Sequence, residues 1–242
     1  MPIKYAVDIL AIGAHPDDIE LSCSGTLLKH KALGYSIGLI DLTMGQLGSR
    51  GTSELRLEEA KMASKILGAT FRHNLRWEDG FFEGTQDHLI DLIKEIRNAR
   101  PKIILANAIQ DRHPDHGRAS TIIDRAAFLS GLVKIETSYR GMHQQPHRPS
   151  LVLHYIQDRF VQPDLVFDIT KNFEEKMSAI SCYASQFYSS RNKGPDTPIS
   201  TKDFWDYIEA KDRYYGRMIH CKYGEGFTSE RVIGVQELNG LI

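Results

Sequence analysis

The chain is poor in cysteine, with only Cys23, Cys182 and Cys221 in 242 residues and no C-x-x-C spacing among them. An odd, scattered set argues against a disulfide framework and against a cysteine metal knuckle, leaving each thiol as a small core residue. Net charge is also nearly absent, since 30 Lys plus Arg stand against 31 Asp plus Glu. Without a surplus of one sign no long-range field gathers polyanions, so nucleic acid is not an expected partner. No apolar run is long enough to span a bilayer, which removes the membrane as a partner. The opening Met1-Pro2-Ile3-Lys4-Tyr5 leads into a short apolar segment without a basic region and cleavage site, so a cytoplasmic location is expected. The loop after the first apolar segment lacks the glycines that cradle a pyrophosphate, which argues against a nucleotide-binding module.

What is present is an alternation of strand and helix. Strand-like runs occur at Val7–Ala14, Ile37–Leu42, Ile103–Ala106, Leu151–Ile156 and Leu165–Ile169, with a weaker one at Phe71–Leu75. Helical patterns fill the gaps at Ser22–Leu33, Ser53–Leu67, Asp87–Arg97, Asp115–Ser130, Phe173–Ala184 and Asp203–His220, with Gly34, Gly68 and Gly131 as C-caps. The expected fold class is therefore α/β: a Rossmann-like, doubly wound, mostly parallel sheet flanked by helices, in a single domain over residues 1–242. Residues 134–150 and 188–201 lack apolar periodicity and are candidate active-site loops.

One short pattern occurs twice. His15-Pro16-Asp17-Asp18 follows the first strand, and His113-Pro114-Asp115-His116 follows the fourth strand, preceded by Asp111-Arg112. Either copy alone is an ordinary helix start, with Pro at the first helical position and acids complementing the macrodipole. In a doubly wound sheet, however, the first and fourth strands are neighbours where the strand order reverses, and ligands bind beyond their carboxyl ends. Both motifs then face one crevice, where clustered carboxylates and imidazoles need a cation. His15 and Asp18 chelate from one helix start and His116 completes the set from the other, a three-ligand site with an open position that suits one catalytic Zn2+ per chain. Asp17 and His113 are left free for chemistry.

On these residues the sequence resembles the PIG-L or LmbE-like deacetylase family, whose signature is His-Pro-Asp-Asp followed later by His-Pro-Asp-His. The resemblance extends through Glu54–Ala60, Tyr183–Phe187 and a C-terminal turn at Gly224-Glu225-Gly226-Phe227. It is nearest to the branch that deacetylates N-acetylglucosaminyl-malate in bacillithiol biosynthesis. It implies zinc on His15, Asp18 and His116, a general base at Asp17, and an acid or oxyanion stabiliser at His113 oriented by Asp115. It also implies an amino-sugar substrate and a homo-oligomer, a hexamer in some relatives. A tyrosine that some relatives place near 197–207 corresponds here to Phe204, which weakens any tyrosine-assisted step.

Three arginines are candidates for substrate binding. Arg56 either meets a substrate carboxylate beside the second strand or forms a helix-surface pair with Glu58 or Glu59. Arg112 is either a fork for a malate-like aglycone or a structural ion pair. Arg148, in Pro146-His147-Arg148, resembles a substrate-contacting segment whose loop rims the crevice. Rival readings are an amidase acting on a thiol conjugate, a deacetylase of another N-acetylglucosamine substrate, and a metal-dependent phosphohydrolase, which needs more bridging carboxylates than the motifs supply.

Overall fold

The computed structural model describes residues 5–188 and 194–235. Its elements run β1 (Ile9–Gly13), α1 (Asp18–Ala32), β2 (Ile37–Thr43), α2 (Ser53–Ile66), β3 (Phe71–Trp77), α3 (Gln86–Ala99), β4 (Ile103–Ala106), α4 (Pro114–Leu129), β5 (Ser138–Tyr139), β6 (Met142–His143), β7 (Leu151–Tyr155), β8 (Leu165–Asp168), α5 (Phe173–Ser181), α6 (Lys202–Met218) and β9 (Gly224–Thr228). Each expected strand and helix is present. Seven strands form one sheet in the order β3-β2-β1-β4-β7-β9-β8, and β5 and β6 make a separate hairpin. β1, β2, β3, β4 and β7 pair in parallel, whereas β9 enters antiparallel between β7 and β8. The sheet is mostly parallel but mixed. Among the described residues no helix is long and apolar enough to cross a membrane.

β1 alternates its side chains between two cores. Leu10 and Ile12 pack with α3 and α4 on one face, while Ile9 and Ala11 pack with α1 and Ala179 of α5 on the other. A strand covered on both faces reads as a continuous apolar run, which is why it was legible. α1 is different: from Asp18 to Leu28 it is buried almost all round, polar residues included. With no single apolar stripe to mark it, the helix begins at Asp18 rather than at the expected Ser22.

Gly34 and Gly68 do follow helices in the left-handed region, at φ 92° and 61°. Gly131 does not: α4 closes on a right-handed Ser130, and α3 closes on Arg100 at φ 47°. The expected C-terminal turn at Gly224–Phe227 is instead part of β9. Its glycines mark close approach, since a Cβ on Gly224 would lie 2.7 Å from Val166 Cγ1 and 2.8 Å from the backbone nitrogen of Gly216 on α6. Residues 134–150 are also not at the crevice. They run to the amino end of β7, where Ser150 N donates to Lys102 O and His147 Nε2 meets Pro101 O.

A buried ionic knot joins the last strand to three helices. Lys176 Nζ of α5 lies 2.7 Å from Asp212 of α6 and 2.8 Å from Glu225 of β9. Glu225 in turn accepts the backbone N–H groups of Gly25 and Thr26 in α1, at 3.0 and 2.7 Å. Removing the cation leaves two buried carboxylates facing each other. Lys176→Met is therefore expected to destabilise the fold by about 3–5 kcal/mol. A urea midpoint unchanged from wild type would mean that the knot is not what closes the sheet.

Candidate metal centre

The two repeated motifs emerge from the carboxyl ends of β1 and β4, which are hydrogen-bonded neighbours. Their helix starts differ. At α4, His113 is the N-cap and Pro114 the first helical residue. At α1, Pro16 lies ahead of the cap, and the cap is Asp17 at φ 113°, ψ −25°. A non-glycine residue there carries strain of roughly 1–3 kcal/mol and is usually held by its surroundings. Arg56 of α2 supplies that restraint: its Nη2 donates to Asp17 Oδ2 at 2.7 Å and its Nε to Pro16 O at 2.9 Å. Arg56 is thus buried against Asp17, not paired with Glu58 or Glu59 on the helix surface.

Three acceptors converge beside it. His15 Nε2 lies 2.9 Å from Asp79 Oδ1 and 3.4 Å from Asp115 Oδ2, which leaves Nδ1 facing Asp18 Oδ2 at 3.7 Å. His116 Nδ1 lies 2.6 Å from Asp111 Oδ2, leaving Nε2 facing Asp18 Oδ1 at 3.1 Å. Bonds of about 2.0–2.2 Å in a tetrahedron give ligand–ligand edges near 3.3 Å, and the two separations, each made to a different oxygen of Asp18, are of that order. Asp18 is itself pinned by N–H donors from His15, Asn107 and Gln157 at 2.9, 3.0 and 3.0 Å. The donor set fits a divalent cation held by His15, Asp18 and His116, each imidazole backed by a carboxylate. His15 also converges with Asp79 and Asp115. Those acids already accept from Leu47 N, Gly80 N and Arg118, at 2.8 Å each, and so orient the ring from behind.

The electrostatics tell the same story. Burial opposes protonation of His15, yet Asp115, Asp18 and Asp79 outweigh it and hold the imidazole well above its usual range. Burial likewise opposes the charge on His116, but Asp18 and Asp111 raise it to about 9. Asp18 is held well below the usual carboxylate range despite burial, by His116 and His15. Burial pushes Asp17 up to about 6 against the pull of Arg56. A pocket this rich in buried carboxylate demands positive charge at its centre.

His113 completes the cluster, with a ring nitrogen within 4.8 Å of those on His15 and His116. Its Nδ1 accepts the backbone N–H of Asp115 at 3.3 Å, so the neutral ring carries its proton on Nε2. Burial, with His15 and His116 nearby, lowers its pKa, which favours that neutral donor over the protonated form. Asp115 meets His113 through its backbone N–H, while its carboxylate faces His15.

A cavity of about 490 Å³ opens over the cluster, lined by Asp17, Arg56, Arg112, Phe204 and Tyr207 among others. Arg112 sits at the rim in an exposed ion pair with Asp158 at 3.0 Å. Arg148 is elsewhere: its guanidinium lies 4.2 Å over the Phe128 ring and donates to Phe128 O, in a separate hollow beside the amino end of β7. Its loop had no apolar pattern to say which end of the sheet it joins. Of the 188–201 loop, Thr197, Pro198 and Ile199 line the cavity, and residues 189–193 lie outside the described ones. Sequence reading missed Asp79, Asp111, Asn107 and Gln157. Asn107 directly follows β4 and Gln157 lies two residues past β7, and a polar residue just past a buried strand was the available signal.

The family model for GlcNAc-PI de-N-acetylase, PIG-L, matches residues 10–127. The "uncharacterized deacetylase YaiS" of Escherichia coli is 35% identical over 114 residues, covering 45% of this chain and 61% of that protein. This chain thus spans about three-fifths of that relative's length. The conserved protein TT1542 of Thermus thermophilus has a solved structure that superposes with a TM-score of 0.83 at 34% identity, over 95% of this chain and 98% of the other. The 4-oxalmesaconate hydratase of Pseudomonas putida is 24% identical across 93% of this chain and 84% of its own.

Outer carboxylates that back a ligating imidazole are typically worth a factor of about 10–100 in metal affinity. Asp111→Asn is expected to weaken divalent-metal binding by that factor, measured by competition with a chromogenic chelator. Unchanged affinity would show that His116 is oriented by something other than Asp111.

Proposed function

The chain belongs to the PIG-L family, and from that premise we propose that it is a zinc-dependent hydrolase removing acetyl from an N-acetylglucosamine derivative. The observation that carries the reading is the convergence of His15, Asp18 and His116 on one point beside Asp17, inside a cavity large enough for a sugar conjugate. When bound there, zinc supplies Lewis acidity, bringing water ionisation toward neutral pH and polarising the acetamide carbonyl.

The protein's own residues account for the remaining steps. Asp17, fixed by Arg56 and aimed into the cavity, takes the proton from the attacking water as general base. His113, whose Nδ1 is engaged by the Asp115 N–H, presents Nε2–H to the acetamide oxygen as negative charge develops there. The proton on Asp17 then passes to the departing nitrogen, and acetate and the free amine separate. Phe204 contributes apolar packing and no donor to the cavity wall, and Tyr207 beside it donates its hydroxyl to Asp158 O at 2.6 Å. Within the N-acetylglucosamine class, the malate glycoside of the bacillithiol pathway is the substrate proposed first.

The hydratase relative supplies the alternative, addition of water to a carbon–carbon double bond. The two separate cleanly by product. Zinc-loaded protein is expected to release acetate from N-acetylglucosaminyl-malate faster than from N-acetylglucosamine, and metal-stripped protein to release none. Asp17→Asn is expected to keep its zinc, by elemental analysis, while turnover falls about 10²–10⁴-fold. Hydration of 4-oxalmesaconate with no acetate from any acetamido sugar would replace this reading with the alternative.

A further inference from the structure

Two cations on the cavity wall, Arg50 and Lys211, form no close ion pair among the described residues. The wall carries Arg50, Arg56, Arg112 and Lys211. Arg56 is paired with Asp17 and Arg112 with Asp158. Among the described residues, Arg50 and Lys211 make hydrogen bonds only to backbone carbonyls. The acids Asp18, Asp79 and Asp111, which also line the cavity, face His15 and His116. Lys211 feels Asp212, Glu225 and Asp158 at longer range, so Arg50 is the wall cation left without a carboxylate beside it.

Arg50 is only 6% exposed. Its Nε donates to Ser185 O at 3.1 Å, and its Nη1 to Gly194 O and Pro195 O at 3.2 and 2.8 Å; Nη2 has no partner among the described residues. Arg97 shows what a purely structural arginine looks like in this protein. It too is bound by carbonyls, of Ser130, Ile135 and Leu132, but each of its three nitrogens is engaged and it lies outside the cavity. Arg50 ties Ser185 to Gly194 and Pro195 in the same way, and as a cavity-lining residue it keeps Nη2 without a partner among the described residues. Lys211, on α6, donates to Gln157 O at 3.1 Å and has two further N–H groups to offer. Burying a cation without a counter-charge is costly unless a ligand brings one.

We propose that Arg50, assisted by Lys211, binds a carboxylate or phosphate on the aglycone and restricts this site to anionic amino-sugar conjugates. The sugar end of this inference rests on the deacetylase reading; the anion end does not.

The test uses zinc-loaded protein and ligands that lack the acetyl group, so nothing turns over: glucosaminyl-malate, glucosamine 1-phosphate and methyl glucosaminide, titrated calorimetrically. One or both anionic ligands are expected to bind at least about tenfold tighter than the neutral one. Arg50→Gln is expected to remove about 10- to 100-fold from the anionic ligand alone, with partial recovery in Arg50→Lys. The malate and phosphate arms show which anion the site takes. Lys211→Met is expected to weaken the same ligand by a smaller factor, and it stands as the test if Arg50→Gln does not fold. Equal wild-type binding of all three ligands overturns the proposal, as does an Arg50→Gln protein that weakens all three alike, the signature of a loop tie such as Arg97. Acetate release from the N-acetylated counterparts is scored separately. Anion preference without acetate release leaves the subsite and removes the deacetylase; acetate release without anion preference does the reverse.

Discussion

Three lone pairs point at one another at the carboxyl edge of this sheet, and much of the structure around them is arranged so that they must. His15 and His116 each turn one ring nitrogen outward to a buried carboxylate, which commits the other nitrogen to face Asp18. Acceptors at 3.1 and 3.7 Å repel unless a proton or a metal ion lies among them. Asp79, Asp111 and Asp115 fix the rings from behind, and Asn107 and Gln157 hold Asp18 from the side, so rotating away is not open to any of the three. The adjacency of β1 and β4 brings the two halves of this arrangement together. The strained backbone of Asp17 keeps one further carboxylate beside it without adding to the ligand set.

The repeated motif, the strand alternation and the reversal of strand order were legible in the sequence because each is local or periodic. Val7–Ala14 announced a buried strand, and two His-Pro-Asp starts after neighbouring strands announced a shared crevice. The difference between those starts was not legible. Nothing in Pro16-Asp17 distinguishes it from Pro114-Asp115, and only Arg56, from another helix, explains why Asp17 leaves helical geometry. The misplaced residues share one cause. Arg148 sits in a segment without periodicity, Gly224–Phe227 was read by its glycines instead of its neighbours, and the Asp115 carboxylate could turn to either imidazole until tertiary contacts with Gly80 and Arg118 chose His15. Asp79 belongs to a part of the chain with no motif at all, so only the fold reveals it.

The two halves of the chain divide the labour. His15, Asp18 and His116, with Asp17 and His113 beside them, lie within the stretch that matches the family model, residues 10–127. The opposite wall of the cavity, from Gln157 through Gln186, Thr197, Phe204 and Lys211, comes from the second half.

The bond between Glu225 and the amides of Gly25 and Thr26 joins residues 200 positions apart. At synthesis rates of about 5–20 residues per second, the interval between the emergence of those two partners is roughly 10–40 s. For that time the first helix, which carries Asp18, has its polar inner face uncovered and its neighbouring strand missing. The helix that carries Asp18 is made well before the strand that completes its packing. A chain interrupted between His116 and Gln157 therefore presents His15, Asp18 and His116 without the far wall of the cavity that Gln157, Phe204 and Lys211 help to form and without the strand that completes α1.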